Sequence, residues 1–318
     1  MPGFITHYYF GVDSFKEIKD KELKKIIADN RSAYSLGLLG PDLFYCFIPS
    51  NMGLKPNMGS ILHKKKTGKF FRSLIDTVAI LDSERDFNIA MSYIEGFMGH
   101  YVLDTAVHPY VYSRIGTKAN NTTLGVHFGL ETDIDRKVYF RKKGKRLCEF
   151  NQDAAVDLNR HEKNVISQIL GSAILSAYGI NITPTLIKAA IVSFSLEGKF
   201  LTDRANRKHK IINAIEKTAL RFEFVSPLLE NDIVHTEDPC NELHSEWSNP
   251  WETDSKSTKS VWEIMEENKV LYADYMIKMR TALKESFNSI DDPHPPILKL
   301  LGNNSYNSGL DCSIELSR

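Results

Sequence analysis

What this chain of 318 residues has little of narrows its reading first. Its four cysteines, Cys46, Cys148, Cys240 and Cys312, are scattered and make no C-x-x-C pair, which argues for reduced thiols and against a disulfide framework. An apolar leader is not readable: no Lys or Arg precedes Lys16, and Thr6-His7-Tyr8-Tyr9 stands where a signal core would sit. Long hydrophobic runs are missing too. The most apolar stretch, Ala33 to Ile48, is broken by Gly37, Gly40, Pro41 and Asp42, so no membrane span is expected. These absences lead to the expectation of a cytoplasmic protein, or a secreted one had a leader been removed. Charge of one sign is also absent: 40 basic and 40 acidic residues sum to zero. The whole chain therefore has no electrostatic footprint for duplex nucleic acid or an anionic membrane, although a whole-chain sum says nothing of a local basic groove. Alternating strand-like runs are scarce as well. Val107 to Tyr112 comes nearest, and Pro109 interrupts it.

What is present is helical periodicity, in a chain whose length and 42% hydrophobic content suffice for a full core. Phe15, Ile18, Leu23, Ile26 and Ile27 form an amphipathic stripe after the N-cap candidates Asp13-Ser14. Further helices are expected from about Lys64 to Leu81, from Asp86 to Pro109, and from Glu162 to Ala177. Others follow from Thr185 to Leu196, Arg204 to Phe224 and about Lys259 to Phe287. Asn231 to Ser257 reads as a polar loop. The expectation is an all-α, multi-helix domain over residues 1–290 and an irregular tail over 291–318.

The informative residues lie on two of these helical stretches. His100, Asp104 and His108 are four residues apart, and so are His127 and Glu131, so each set stacks on one helical face. His100 and His108 are separated by a rise of roughly 12 Å. Zinc–nitrogen bonds are about 2 Å, so the two imidazoles cannot share one ion, while Asp104 between them can bridge neighbouring ions. Upstream, His7 precedes an aromatic run, Asp42 follows the turn Gly40-Pro41, and His63 opens the helix expected near Lys64. Eight residues exceed one tetrahedral shell and suit two or three ions. Imidazole and carboxylate without thiolate favour zinc in an active site. Each of His7 and His63 alone reads as an ordinary buried histidine, and Asp42 alone as a helix cap. His161, His209 and His294 read as structural or exposed. Asp133 and Asp135 read as an acidic helix face or as acceptors for ligating imidazoles. Cys240 with His235 and His244 offers only one thiol, too few for a convincing second site.

In this order, Thr6-His7, Gly40-Pro41-Asp42, His63, His100-x-x-x-Asp104, His108-Pro109 and His127-x-x-x-Glu131 resemble the zinc-dependent phospholipase C family, distantly related to fungal single-strand-specific zinc nucleases. The resemblance covers roughly the first 140 residues. It implies a mostly helical domain with three zinc ions in a cleft. Asp42, His63, His100 and Asp104 would hold one ion, Asp104 and His7 a second, and His108, His127 and Glu131 a third. Two departures stand out. Secreted members use the mature N-terminal residue, usually Trp, beside the first His, whereas this chain starts Met1-Pro2-Gly3 and has no Trp before Trp247. The spacing from Asp104 to His108 is also shorter than in the secreted enzymes.

The resemblance implies a zinc-dependent phosphodiester hydrolase cleaving the glycerol–phosphate bond of a phospholipid. Asp42 would ligate or accept the proton of the attacking water. Two alternatives remain at this stage: a nuclease or small-molecule phosphodiesterase on the same site, and a non-catalytic metal-stabilised interaction protein. Zero net charge counts against long nucleic acid. Trp247 and Trp251, in the loop His244 to Trp251, read either as core anchors or as a substrate contact beside the cleft.

Overall fold

The computed structural model describes residues 3–45, 57–117, 121–288 and 296–315; Cys46 and His294 lie outside the described residues. Among these the chain is 71% helical, with 14 helices and one two-stranded sheet, so the fold is all-α as the periodicity predicts. The helices are α1 (Phe4–Glu17), α2 (Lys21–Asp29), α3 (Arg31–Leu38), α4 (Met58–Lys64), α5 (Thr67–Val78), α6 (Glu84–Ile115) and α7 (Asn121–Lys143). After them come α8 (Gln152–Ala155), α9 (Arg160–Tyr178), α10 (Pro184–Leu201), α11 (Arg207–Ile215), α12 (Val261–Asn288), α13 (Pro296–Leu301) and α14 (Cys312–Glu315). Strands β1 (Trp247–Asn249) and β2 (Glu252–Ser257) pair antiparallel inside the segment expected to be loop. Cys148, Cys240 and Cys312 are buried, and no described helix is long and apolar enough to cross a membrane.

Helix α6 is the axis of the molecule. Ser83 caps it by accepting from Asp86 N, and from Phe87 to Val111 nearly every side chain is buried. Helix α3 lies directly on it. A Cβ at Gly96 would stand 2.1 Å from Tyr34 O, and one at Gly37 only 2.2 Å from Tyr93 O. Two glycines thus allow backbone-to-backbone contact, which delivers the turn after α3 to the middle of α6. Helix α12 packs on it as well: Tyr272 stacks on Phe10 at 5.5 Å and donates to Glu95 O at 2.7 Å. One apolar cluster consequently runs from Ile5 to Tyr306, with both halves of the sequence contributing.

Three expectations are corrected. The first helix begins at Phe4, not after Asp13-Ser14, and the second is capped by Asp20, which accepts from Glu22 N and Leu23 N. Pro109 does not end α6, which continues to Ile115. Proline withholds the amide that would bond Thr105 O, but the helix is held on both sides by packing, and Gly309 lies against that carbonyl. The described part of the C-terminal segment, residues 296–315, is not an irregular tail. It carries α13 and α14, and Ser305, Tyr306 and Ser308 are fully buried against α4 and α6. Its polar turn residues gave no periodic signal from which this could be read.

Candidate metal centre

Five local devices bring the candidate ligands together. At the start of α1, the Asp135 carboxylate of α7 accepts from Ile5 N (3.2 Å), Thr6 N (2.8 Å) and the Thr6 hydroxyl, fixing the helix end that carries His7. After α3, Gly40 adopts φ +56°, and a Cβ there would be 2.4 Å from the His100 ring, so only glycine permits the approach. The 3-10 turn Gly40–Phe44 then sets Asp42 beside His63. His63 stands near the end of α4 rather than opening a helix. Helix α6 presents His100, Asp104 and His108 on one face, and α7 presents His127 and Glu131.

Three of the imidazoles are aimed in the same way. His63 Nδ1 donates to Gly59 O at 2.7 Å, His100 Nδ1 to Leu38 O at 3.1 Å, and His108 Nδ1 to Tyr306 O at 2.7 Å. A backbone carbonyl can only accept, so each ring carries its proton on Nδ1 and turns a bare Nε2 inward, the arrangement that orients metal-binding histidines. Those Nε2 atoms are buried and make no hydrogen bond among the described residues, nor does either nitrogen of His7 or either oxygen of Asp104.

Yet the atoms crowd one another. Asp104 Oδ1 is 3.1 Å from His7 Nε2, and its Oδ2 is 3.0 Å from His100 Nε2 and 3.7 Å from His63 Nε2. His63 Nε2 is 3.4 Å from Asp42 Oδ1, and His108 Nε2 is 3.7 Å from Glu131 Oε1, which also contacts His127 Nε2. In this way the structure gathers three groups, each with its ligand atoms within 4.8 Å: His7, His100 and Asp104; Asp42, His63 and His100; and His108, His127 and Glu131. All eight candidates are included, with His100 shared by two groups. His100 and His108 fall in separate groups, as the helical rise requires.

Electrostatics favours a cation here. Asp104 is fully buried, and its ion-pair partners among the described residues are all histidines. Burial by itself raises the Asp104 pKa, but the facing imidazoles, His100 foremost, outweigh it and hold the carboxyl well below its usual range. Burial lowers His7 to about 4 and pushes His108 and His127 well below the ordinary imidazole value, so these rings stay neutral. At His100, burial is outweighed by the carboxylates of Asp104 and Asp42, and the pKa rises. A buried carboxylate among mostly neutral imidazoles is costly without compensating positive charge. Orphaned inward-facing nitrogens and oxygens supply the coordination such an ion needs, so the donor set fits zinc.

The flanking predictions divide. Trp251 meets Tyr112 at 5.0 Å, and Tyr112 meets His127 at 5.3 Å, so Trp251 stands one ring from the third group. Trp247 packs on the buried Tyr110 at 5.6 Å and donates from Nε1 to Lys259 O, anchoring β1 to α6. Asp133 accepts from His235 N and Thr236 N and, like Asp135, holds backbone rather than a ligating imidazole. Cys240, His235 and His244 are not gathered: Cys240 is sealed in the core, and His244 faces Thr258 O and Glu263. Sequence reasoning missed Tyr306, whose amide donates to His63 O while its carbonyl holds His108 and its ring lies 5.0 Å from His63. Nothing in its local sequence marks that role. It is visible only when the C-terminal segment is seen folded back.

Comparison with known proteins agrees with this geometry. The sequence profile of the family described as zinc dependent phospholipase C matches residues 6–178, more than half of the chain and all eight candidate ligands. The chain belongs to that family. Neither the search of curated proteins nor that of solved structures found a match.

Proposed function

We propose that this member of the zinc-dependent phospholipase C family hydrolyses the glycerol–phosphate ester of a phospholipid at a centre of two to three zinc ions. The observation that carries the reading is the gathering of all eight ligands into three groups, two of which share His100, with the two oxygens of Asp104 facing His7 and His100. Asp42, His63, His100 and Asp104 would hold one ion, Asp104 and His7 another, and His108, His127 and Glu131 a third. Zinc bound there supplies Lewis acidity toward phosphoryl oxygens and water acidified to about pKa 7.

The remaining work falls to the chain. Asp42, His127 and Glu131 are the least buried of the eight, 7–8% exposed, so substrate approaches from their side. Asp42 is the candidate base. It takes a proton from the attacking water as the new P–O bond forms, and passes it to the glycerol oxygen as the old P–O bond breaks. The Trp251–Tyr112 pair provides an apolar wall beside His127 for the lipid's glycerol and acyl portion. Trp247 keeps the loop in place.

The test is a screen of phosphodiesters with zinc-loaded protein, including phosphatidylcholine and single-stranded DNA. Release of diacylglycerol from phosphatidylcholine is expected, and Asp42→Asn is expected to abolish it. Hydrolysis of DNA alone would move the assignment to the nuclease class. Zinc content without turnover of any diester would leave a metal-stabilised binding protein.

A further inference from the structure

The chain is neutral as a whole, but one segment is not. Between Arg204 and Phe224 it carries six basic and two acidic residues. Of the acids, Glu216 is buried and accepts from Val225 N and from the amide and hydroxyl of Ser226, while Glu223 lies 3.2 Å from Lys217. Lys208 turns back to donate to the carbonyls of Phe200 and Thr202. Arg204, Arg207, Lys210 and Arg221 remain on the exposed side.

The same segment exposes apolar side chains. Helix α11 buries none of its residues, and Ile211 and Ile215, one turn apart on one face, are 62% and 58% exposed. A nine-residue helix has little intrinsic stability and normally forms by burying such a stripe. The π turn Glu216–Leu220 follows, with Leu220 exposed. On one side the ridge continues along α10 through Val192, Leu196 and Phe200, all exposed at i, i+4 and i+8, and the Lys208 ammonium lies 5.6 Å from the Phe200 ring. On the other side it reaches the metal centre. Phe224 packs 5.6 Å from Phe128, the neighbour of His127, and Gly125 touches the backbone of Glu223 between the exposed Leu124 and Val126.

We propose that this face docks the protein on the surface of an anionic phospholipid bilayer. Ile211, Ile215 and Leu220 enter the acyl boundary, and Arg207, Lys210 and Arg221 meet headgroup phosphates. Aliphatic tips flanked by basic residues are the chemistry of an interfacial helix. Nucleic acid would be met by aromatic platforms among the charges rather than by Ile and Leu. A second copy would bring the same positive charge against itself across a two-fold contact. The surface stands on exposure and charge; only its use in lipid hydrolysis rests on the function proposed above.

The experiment sediments the full chain with vesicles of phosphatidylcholine alone and of phosphatidylcholine mixed with phosphatidylserine. Binding to the mixed vesicles is expected, falling as salt rises. The pairs Ile211→Asp with Ile215→Asp, and Arg207→Glu with Lys210→Glu, should each cut partitioning at least about tenfold, with Tm and turnover of a water-soluble nitrophenyl phosphodiester unchanged. Wild type that ignores both vesicles overturns the proposal, as does equal binding by both variant pairs. Retention of single-stranded DNA in place of vesicles, or a wild-type dimer that the variants split, overturns it too. If the soluble diester is not cleaved while vesicle binding responds to the variants, the hydrolase reading falls and the docking surface stands. Cleavage without vesicle binding gives the reverse.

Discussion

The residues up to Tyr178 and those after it divide the labour of the molecule. The first region supplies all eight candidate ligands, on helix faces whose backbones are in contact and whose side chains are almost fully buried. The second supplies none, but it closes the centre through Tyr306, walls it through Trp251 and exposes a basic, apolar face beside it. The positions of the candidate ligands are thus set by rigid interhelical packing, while the substrate delivery proposed for the second region falls to segments whose surfaces are free to differ.

The largest expected effect comes from breaking the first region at its centre. Asp104→Asn removes the charge that both ligand sides share, and turnover is expected to fall at least about 100-fold together with zinc content. Full zinc and full turnover in this variant would refute the bridging role. Next is the second region's grip on the first. Gly309 has φ +68°, and a Cβ there would stand 2.5 Å from Thr105 O, so Gly309→Val must displace the loop that carries Tyr306. His108 then loses its acceptor, and zinc affinity should drop about 10- to 100-fold. An unchanged affinity would mean that the C-terminal segment serves packing alone. The smallest effects separate the two indoles. Trp251→Ala should lower kcat/KM on lipid about tenfold with Tm nearly unchanged. Trp247→Ala should cost about 2 kcal/mol of stability with little loss of turnover. Reversed results would exchange their roles.

Much of the first region was legible because its chemistry is periodic. Ligands four apart on a helix need only the helix to exist, and the core stripes of Ile, Leu and Phe announce it. The turn at Gly40-Pro41-Asp42 was legible as a turn, but its need for glycine was not, because that need arises from the His100 ring across an interhelical contact. The persistence of α6 through Pro109 was hidden for the same reason: tertiary packing overrides a local breaker. Tyr306 contributes backbone atoms, to which any residue type has equal claim, so its hydrogen bonds leave no trace in composition or spacing. The basic face was hidden by a zero net charge, which averages over a chain that folding divides into surfaces.

Whether the first region holds a polynuclear zinc centre is decided most directly by elemental analysis of the wild-type protein purified without chelator. Two to three zinc ions per chain are expected, one for each ligand group that is filled. Less than one zinc per chain, with no other transition metal in its place, would contradict such a centre.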